Sequence, residues 1–129
     1  MRTIIRLLVC AAALGLVSAS AAVTATGQFR GSLTAPTHTP TVNQRWTYVV
    51  SARTLKGRPL HASAHVQVFE HGKRVNIIGW HQFTGTYKHT IRWSPSTRGH
   101  KYVFQALLIA TGANGKKSQL RLNYAVSPR

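Results

Sequence analysis

Glu70, in the stretch VFEHGKRV, is the only acidic side chain among 129 residues, and the chain has no aspartate. Glycoside hydrolysis by paired carboxylates needs two such groups. A Ser-His-acid relay needs one to orient its histidine, and hard divalent cations are held mostly by carboxylate oxygens. A single carboxylate removes all three chemistries together. His71, Lys73 and Arg74 lie within four positions of Glu70. The simplest reading is therefore a turn-flanking acid in a local ion pair, worth at most about 1 kcal/mol if exposed. Serine, histidine and lysine leave a Ser–His or Ser–Lys pair open, but no nucleophile-elbow pattern marks one. We expect no catalytic residue.

Seven histidines raise the question of a metal. His61 and His65 are four apart, which on a strand places them on one face but about 13 Å from each other. His71, His81, His89 and His100 fall on different elements, and no H-x-H or H-E-x-x-H spacing is present. The stretch GANGKK puts glycines beside lysines without the G-K-[ST] ending of a phosphate loop, and it reads as a hairpin. No metal and no cofactor is expected.

What remains is charge. Seventeen Lys and Arg against one Glu give a formal +16, although charged residues make up only 14% of the chain. A typical fraction is about 25%, so the imbalance comes from missing acids more than from added bases. Such a surface attracts polyanions and opposes compaction by self-repulsion. A hydrophobic fraction of 43% still allows a packed core.

The elements that position these charges begin after a targeting segment. MRTIIR is followed by the apolar run LLVCAAALGLV and then by ASA and VTA, the order of a secretory signal peptide. The run has 11 residues, too few for a spanning helix of about 20. We assign residues 1–25 to the signal peptide, with cleavage between Ala21 and Ala25, and expect export, with retention at the cell wall as one outcome. Cys10 leaves with that segment, so the mature chain has no disulfide. Arg2 and Arg6 leave too, and 15 bases face one acid, a formal +14.

Residues 26–44, rich in Thr, Pro and Gly, read as a flexible lead-in with an edge strand near Thr37 to Val42. From Arg45 the pattern is period two. Trp46, Tyr48 and Val50 share a face, as do Ala62, Ala64, Val66 and Val68; Tyr87, His89, Ile91 and Trp93; and Leu120, Leu122, Tyr124 and Val126. YVFQALLIA is apolar throughout and reads as a central strand. Six or seven strands separated by Gly/Pro/Asn turns predict one antiparallel β-sandwich over residues 45–129.

KGRPLHASAHVQV (Lys56 to Val68), FTG (Phe83 to Gly85) and GHKYVFQA (Gly99 to Ala106) resemble strand entries and turns of secreted bacterial immunoglobulin-like and transthyretin-like modules. The resemblance spans roughly Trp46 to Val126 and implies a seven-strand Ig-like sandwich. It implies Tyr102 as a tyrosine-corner residue, although the usual preceding acid and the inter-sheet cysteine pair are both absent. It implies no particular function, because such sandwiches host many.

With strands alternating in direction, Arg53, Lys56 and Arg58 should share an end with Lys116 and Lys117. Lys73, Arg74, Arg98, His100 and Lys101 should gather at the other. The first five are the expected contacts to an extracellular polyanion such as a wall phosphate polymer, an anionic surface, a polysaccharide or nucleic acid bound without sequence preference. The alternative is a protein-interaction or accessory module whose charge reflects its environment, using a sheet edge for strand addition.

Overall fold

The computed structural model describes residues 21–25 and 27–129. The expected signal peptide therefore falls mostly outside the described residues. The described residues form eight strands: β1 (Ala21–Ala25), β2 (Arg30–Thr34), β3 (Arg45–Arg53), β4 (His61–Glu70), β5 (Lys73–Thr84), β6 (Thr86–Arg92), β7 (Tyr102–Thr111) and β8 (Lys117–Val126). They form two antiparallel sheets, ordered β1-β2-β3-β6 and β5-β4-β7-β8. The architecture is the antiparallel β-sandwich that the alternation predicts, with seven strands from Arg30 onward and β1 added at one edge. No helix among the described residues is long and apolar enough to cross a membrane.

Alternating side chains enter opposite faces of a strand, and the inward sets are the expected ones. Trp46, Tyr48, Val50 and Ala52 from β3 meet Ala62, Ala64, Val66 and Val68 from β4, Phe104, Ala106 and Leu108 from β7, and Leu122, Tyr124 and Val126 from β8. Trp46 lies at the centre, with the rings of Phe104, Trp93, Tyr48 and Tyr124 at 5.3, 5.7, 6.0 and 6.1 Å. Small alanines on β4 and β7 leave room for these rings, an alternation of large and small that fills a core without voids. β7 is central, as its uninterrupted apolar run requires.

The segment read as a lead-in belongs to the sandwich. β2 lies between β1 and β3, and Phe29 and Leu33 are fully buried. Its five-residue length and its Gly, Ser and Thr content hid the strand. Thr37 to Val42 is not a strand. It runs beside the C-terminus instead, with Ser127 N–H donating to His38 O, Arg129 N–H to Pro40 O and Val42 N–H to Arg129 O at 2.8 to 2.9 Å. The Trp46 indole N–H donates to Thr37 O at 3.0 Å, which ties this loop to the core. Tyr102 also departs from expectation. Its hydroxyl has no hydrogen-bond partner among the described residues, whereas the hydroxyl of Tyr124 donates to Ala35 O at 3.3 Å.

Gly31 explains why β2 can approach the second sheet. A Cβ built there would lie 2.5 Å from Leu108 Cδ1 and 2.8 Å from Leu120 Cδ2. The backbone takes the space a side chain would fill. Gly31→Ala should therefore cost about 1–3 kcal/mol through overpacking, seen as a lower urea midpoint at unchanged slope. A neutral result would mean that the two leucines swing aside freely.

β1 coincides with the small-residue sites at which the signal peptide is expected to be cut. Cleavage after Ala21 keeps four of the five residues that pair with β2, and cleavage after Ala25 removes them all. A chain beginning at Ala22 should thus melt at a higher temperature than one beginning at Thr26, as calorimetry on the two would test. Equal melting temperatures would mean that the β1–β2 ladder adds nothing to the sandwich.

Candidate polyanion interface

The five bases expected to act together do share an end. Arg53 closes β3, and Lys56 and Arg58 sit in a tight turn held by Gly57 N–H to Thr54 O at 2.9 Å and Thr54 N–H to Arg58 O at 2.8 Å. Lys116 and Lys117 follow the β7–β8 hairpin, which Gly112 N–H closes onto Lys116 O at 2.8 Å. Gln28, ahead of β2, holds this hairpin, its side-chain Oε1 accepting from Asn114 N–H at 2.9 Å and its backbone O from Ala113 N–H at 3.1 Å. Between the loops lies a shallow hollow of about 150 Å³.

A larger arrangement extends from this end along the outer face of the β2-β3-β6 portion of its sheet. Arg30 lies directly opposite Arg53, Ser32 opposite Ser51, and Ser51 opposite Thr86. Further along, Val49 faces Lys88, Thr47 faces Thr90, and Arg45 faces Arg92. Hydroxyls pair across the ladder, Ser32 with Ser51 and Thr47 with Thr90. The face thus carries five cations among hydroxyl groups and no carboxylate, over the nine residues of β3, about 27 Å at the usual rise. Like charges directly opposite in a ladder repel. Here this happens twice, at Arg30–Arg53 and at Arg45–Arg92. Arg30 escaped the sequence reading because its strand did; alternation puts Arg45, Lys88 and Arg92 on outer faces, and only their mutual opposition escaped, because cross-strand register is not visible in a list of charges.

At the opposite end Glu70 keeps one expected partner, His71, but its closest is His100. His100 Nδ1 lies 2.7 Å from Glu70 Oε2, and His71 Nε2 is at 4.0 Å. No lysine or arginine comes within 4.0 Å of its carboxylate among the described residues. Lys73 is opposite Glu70 in the ladder, yet the carboxylate turns to the loop before β7. Glu70 lines a cleft of about 480 Å³ between the sheets, with Val75, Ile78, Ile91, Trp93 and Tyr102 among its walls. Burial and the nearby Glu70 charge push the Tyr102 hydroxyl above its usual range. The acid serves as a clamp between the β4–β5 turn and the β7 entry. His61 and His65 sit on one strand face without converging, and no group of three potential metal ligands occurs among the described residues.

On the seam where β5 and β6 diverge, His81 and His89 approach with ring centroids 6.0 Å apart. His81 stacks on Tyr87 at 4.5 Å, and His89 Nδ1 meets the Tyr48 hydroxyl at 3.0 Å. His81 Nε2 is buried without a hydrogen-bond partner. Burial, and secondarily the His89 charge, lower the pKa of His81 below its ordinary 6.5.

No family model and no curated protein matches this chain.

The depressed His81 pKa sets the direction of a pH dependence. The unfolded chain binds this proton more readily than the folded one, so stability is full above about 6.5 and falls as pH drops toward the folded value. Urea midpoints should be lower at pH 5.5 than at pH 7.5, and His81→Phe should flatten that difference. An identical pH dependence in the variant would move the liability elsewhere.

Proposed function

We propose that this is a secreted, non-enzymatic β-sandwich module that associates with extracellular polyanions through the Ser/Thr-lined cationic face of β2, β3 and β6 and the adjoining basic loops. The observation that carries this reading is the pair of arginine–arginine oppositions, Arg30–Arg53 and Arg45–Arg92. No Lys or Arg has a carboxylate within 4.0 Å among the described residues. Cations left without a carboxylate partner, and repelling one another, gain most from an external anion, although Arg92 also donates to Asn43 O at 3.0 Å. Phosphate or sulfate groups would accept from the guanidinium forks and from neighbouring hydroxyls, as anions do wherever planar donors are displayed. Lys88 midway along the face keeps the positive potential continuous. Arg53, Lys56, Arg58, Lys116 and Lys117 extend it around one end. A single carboxylate, already engaged by His100, supports the absence of acid–base catalysis.

Binding of this kind releases counterions, so log affinity falls linearly with log salt, with a slope set by the number of contacts. Replacing Arg30, Arg45, Lys88 and Arg92 together with glutamine should lower that slope for duplex DNA by about one unit per lost phosphate contact. Neutralising the five loop bases should lower it as well. The four-residue variant should also be somewhat more stable than the parent, since two repulsive pairs are gone. An unchanged slope in both variants overturns the reading. Stoichiometric, salt-resistant capture of one protein would favour the interaction-module alternative.

A further inference from the structure

The outer face of the second sheet has different chemistry. Trp80 on β5 is 54% exposed, and Ile77 on the same strand is 49% exposed. Trp80 lies opposite His65, and the two rings stack with centroids 4.6 Å apart and planes 16° from parallel. Among the described residues β5 is the edge strand of its sheet, and none of their strands covers the other side of the indole. The ring is therefore held upright by His65, with a large aromatic surface open to solvent. Around it the ladder sets polar side chains on the same face: exposed Gln82 two residues beyond Trp80, and Arg74, which donates at 3.2 Å to the Oε1 of Gln67, a side chain buried beneath it opposite Ile77.

We infer that this rim is a saccharide-binding site, and that its ligand is an acidic oligosaccharide, a chain of pyranose rings carrying carboxylates. A pyranose presents C–H groups on one face, and these polarised hydrogens meet the electron-rich face of an indole favourably. Amide groups supply both donors and acceptors, the pairing that sugar hydroxyls require. Outward-facing backbone groups of an edge strand offer more of the same. Charge selects the acidic class: Arg74 keeps guanidinium donors beyond the one given to Gln67, and Glu70, paired in the ladder with Lys73 and not with Arg74, is engaged by His100. An extended peptide added to β5 is the competing occupant. It is disfavoured because the β4–β5 register shifts twice, between Val66 and Gln67 and between Val68 and Phe69. Such bulges bend and twist an edge away from regular pairing. This site is separate from the cationic face of the first sheet and does not depend on it.

The test is titration of the full processed protein with tetragalacturonate, read by tryptophan fluorescence and calorimetry at 50 and 300 mM salt. Trp46 and Trp93 are buried, so the fluorescence change reports mainly on Trp80. The parent should bind with affinity that changes only a few-fold between the two salts. Trp80→Ala should bind about tenfold more weakly, and Trp80→Tyr should recover most of the loss because the ring, and not the volume, is what the sugar meets. The variant neutralised at Arg30, Arg45, Lys88 and Arg92 should bind the saccharide as the parent does. Equal affinity in Trp80→Ala and parent overturns the proposal. So does a saccharide affinity that falls in parallel with duplex DNA across salt and across the four-residue variant. Tighter binding of an alternating Val/Glu peptide that displaces the saccharide would assign the edge to a strand partner instead.

Discussion

A chain with one carboxylate cannot neutralise its own cations, and much of this structure follows from that constraint. Among the described residues, the only close side-chain contacts to an acid are those of His100 and His71 with Glu70. Every lysine and arginine must therefore reach solvent or an external anion. Repulsion between such groups works against compaction, and the fold accommodates it by sending bases to the outer faces and to both ends. The two arginine–arginine oppositions remain because the strand register that buries Trp46 and Tyr48 puts Arg45 and Arg53 on the outer face. One face of β3 cannot be moved without moving the other.

With ion pairing almost absent and no cysteine among the described residues, the sandwich depends on apolar and aromatic packing. Trp46 joins the two sheets through Phe104 and Tyr124 on one side and Tyr48 and Trp93 on the other. Rings at these separations and tilts add to the area term. The same packing fixes the functional surfaces. The cationic face of β3 is the reverse side of the most deeply buried strand, and rigid elements hold charges in place better than loops do. By contrast, β5 and β6 diverge after Gly85 and leave a cleft and a histidine-lined seam, where the sandwich is least closed and most sensitive to acid.

Most of the fold was legible in alternation alone, because burial of one face imposes period two wherever a strand is long. The inward sets of β3, β4 and β8 follow the pattern, except that Gln67 of β4, read as outward, is buried as well, beside the β4–β5 bulge. What failed to show has physical causes. β2 has only Leu33 as a large inward residue, since Gly31 must stay small against Leu108 and Leu120, and so its apolar signal disappears. Losing β2 hid Arg30, one of the five cations of that face. Glu70 was assigned sequence neighbours, and His71 does lie at 4.0 Å, but its closest partner, His100, is 30 residues away. Tyr102 matched a strand-entry motif, while the hydroxyl that bonds back to the chain belongs to Tyr124 on the last strand. The shared end of the five loop bases was readable because antiparallel order is set by counting turns. The arginine pairs were not, because register depends on bulges and turn lengths.

The central claim is that the unneutralised cations of this sandwich act as a binding surface. The most direct measurement is the affinity of the processed protein for duplex DNA as a function of salt from about 50 to 500 mM. The account predicts a straight line of log affinity against log salt with a slope of about −3 or steeper, set by several simultaneous phosphate contacts. Measurable affinity with a flat salt dependence, or no binding even at the lowest salt, would contradict it. The charge would then be only a feature of the protein's surroundings.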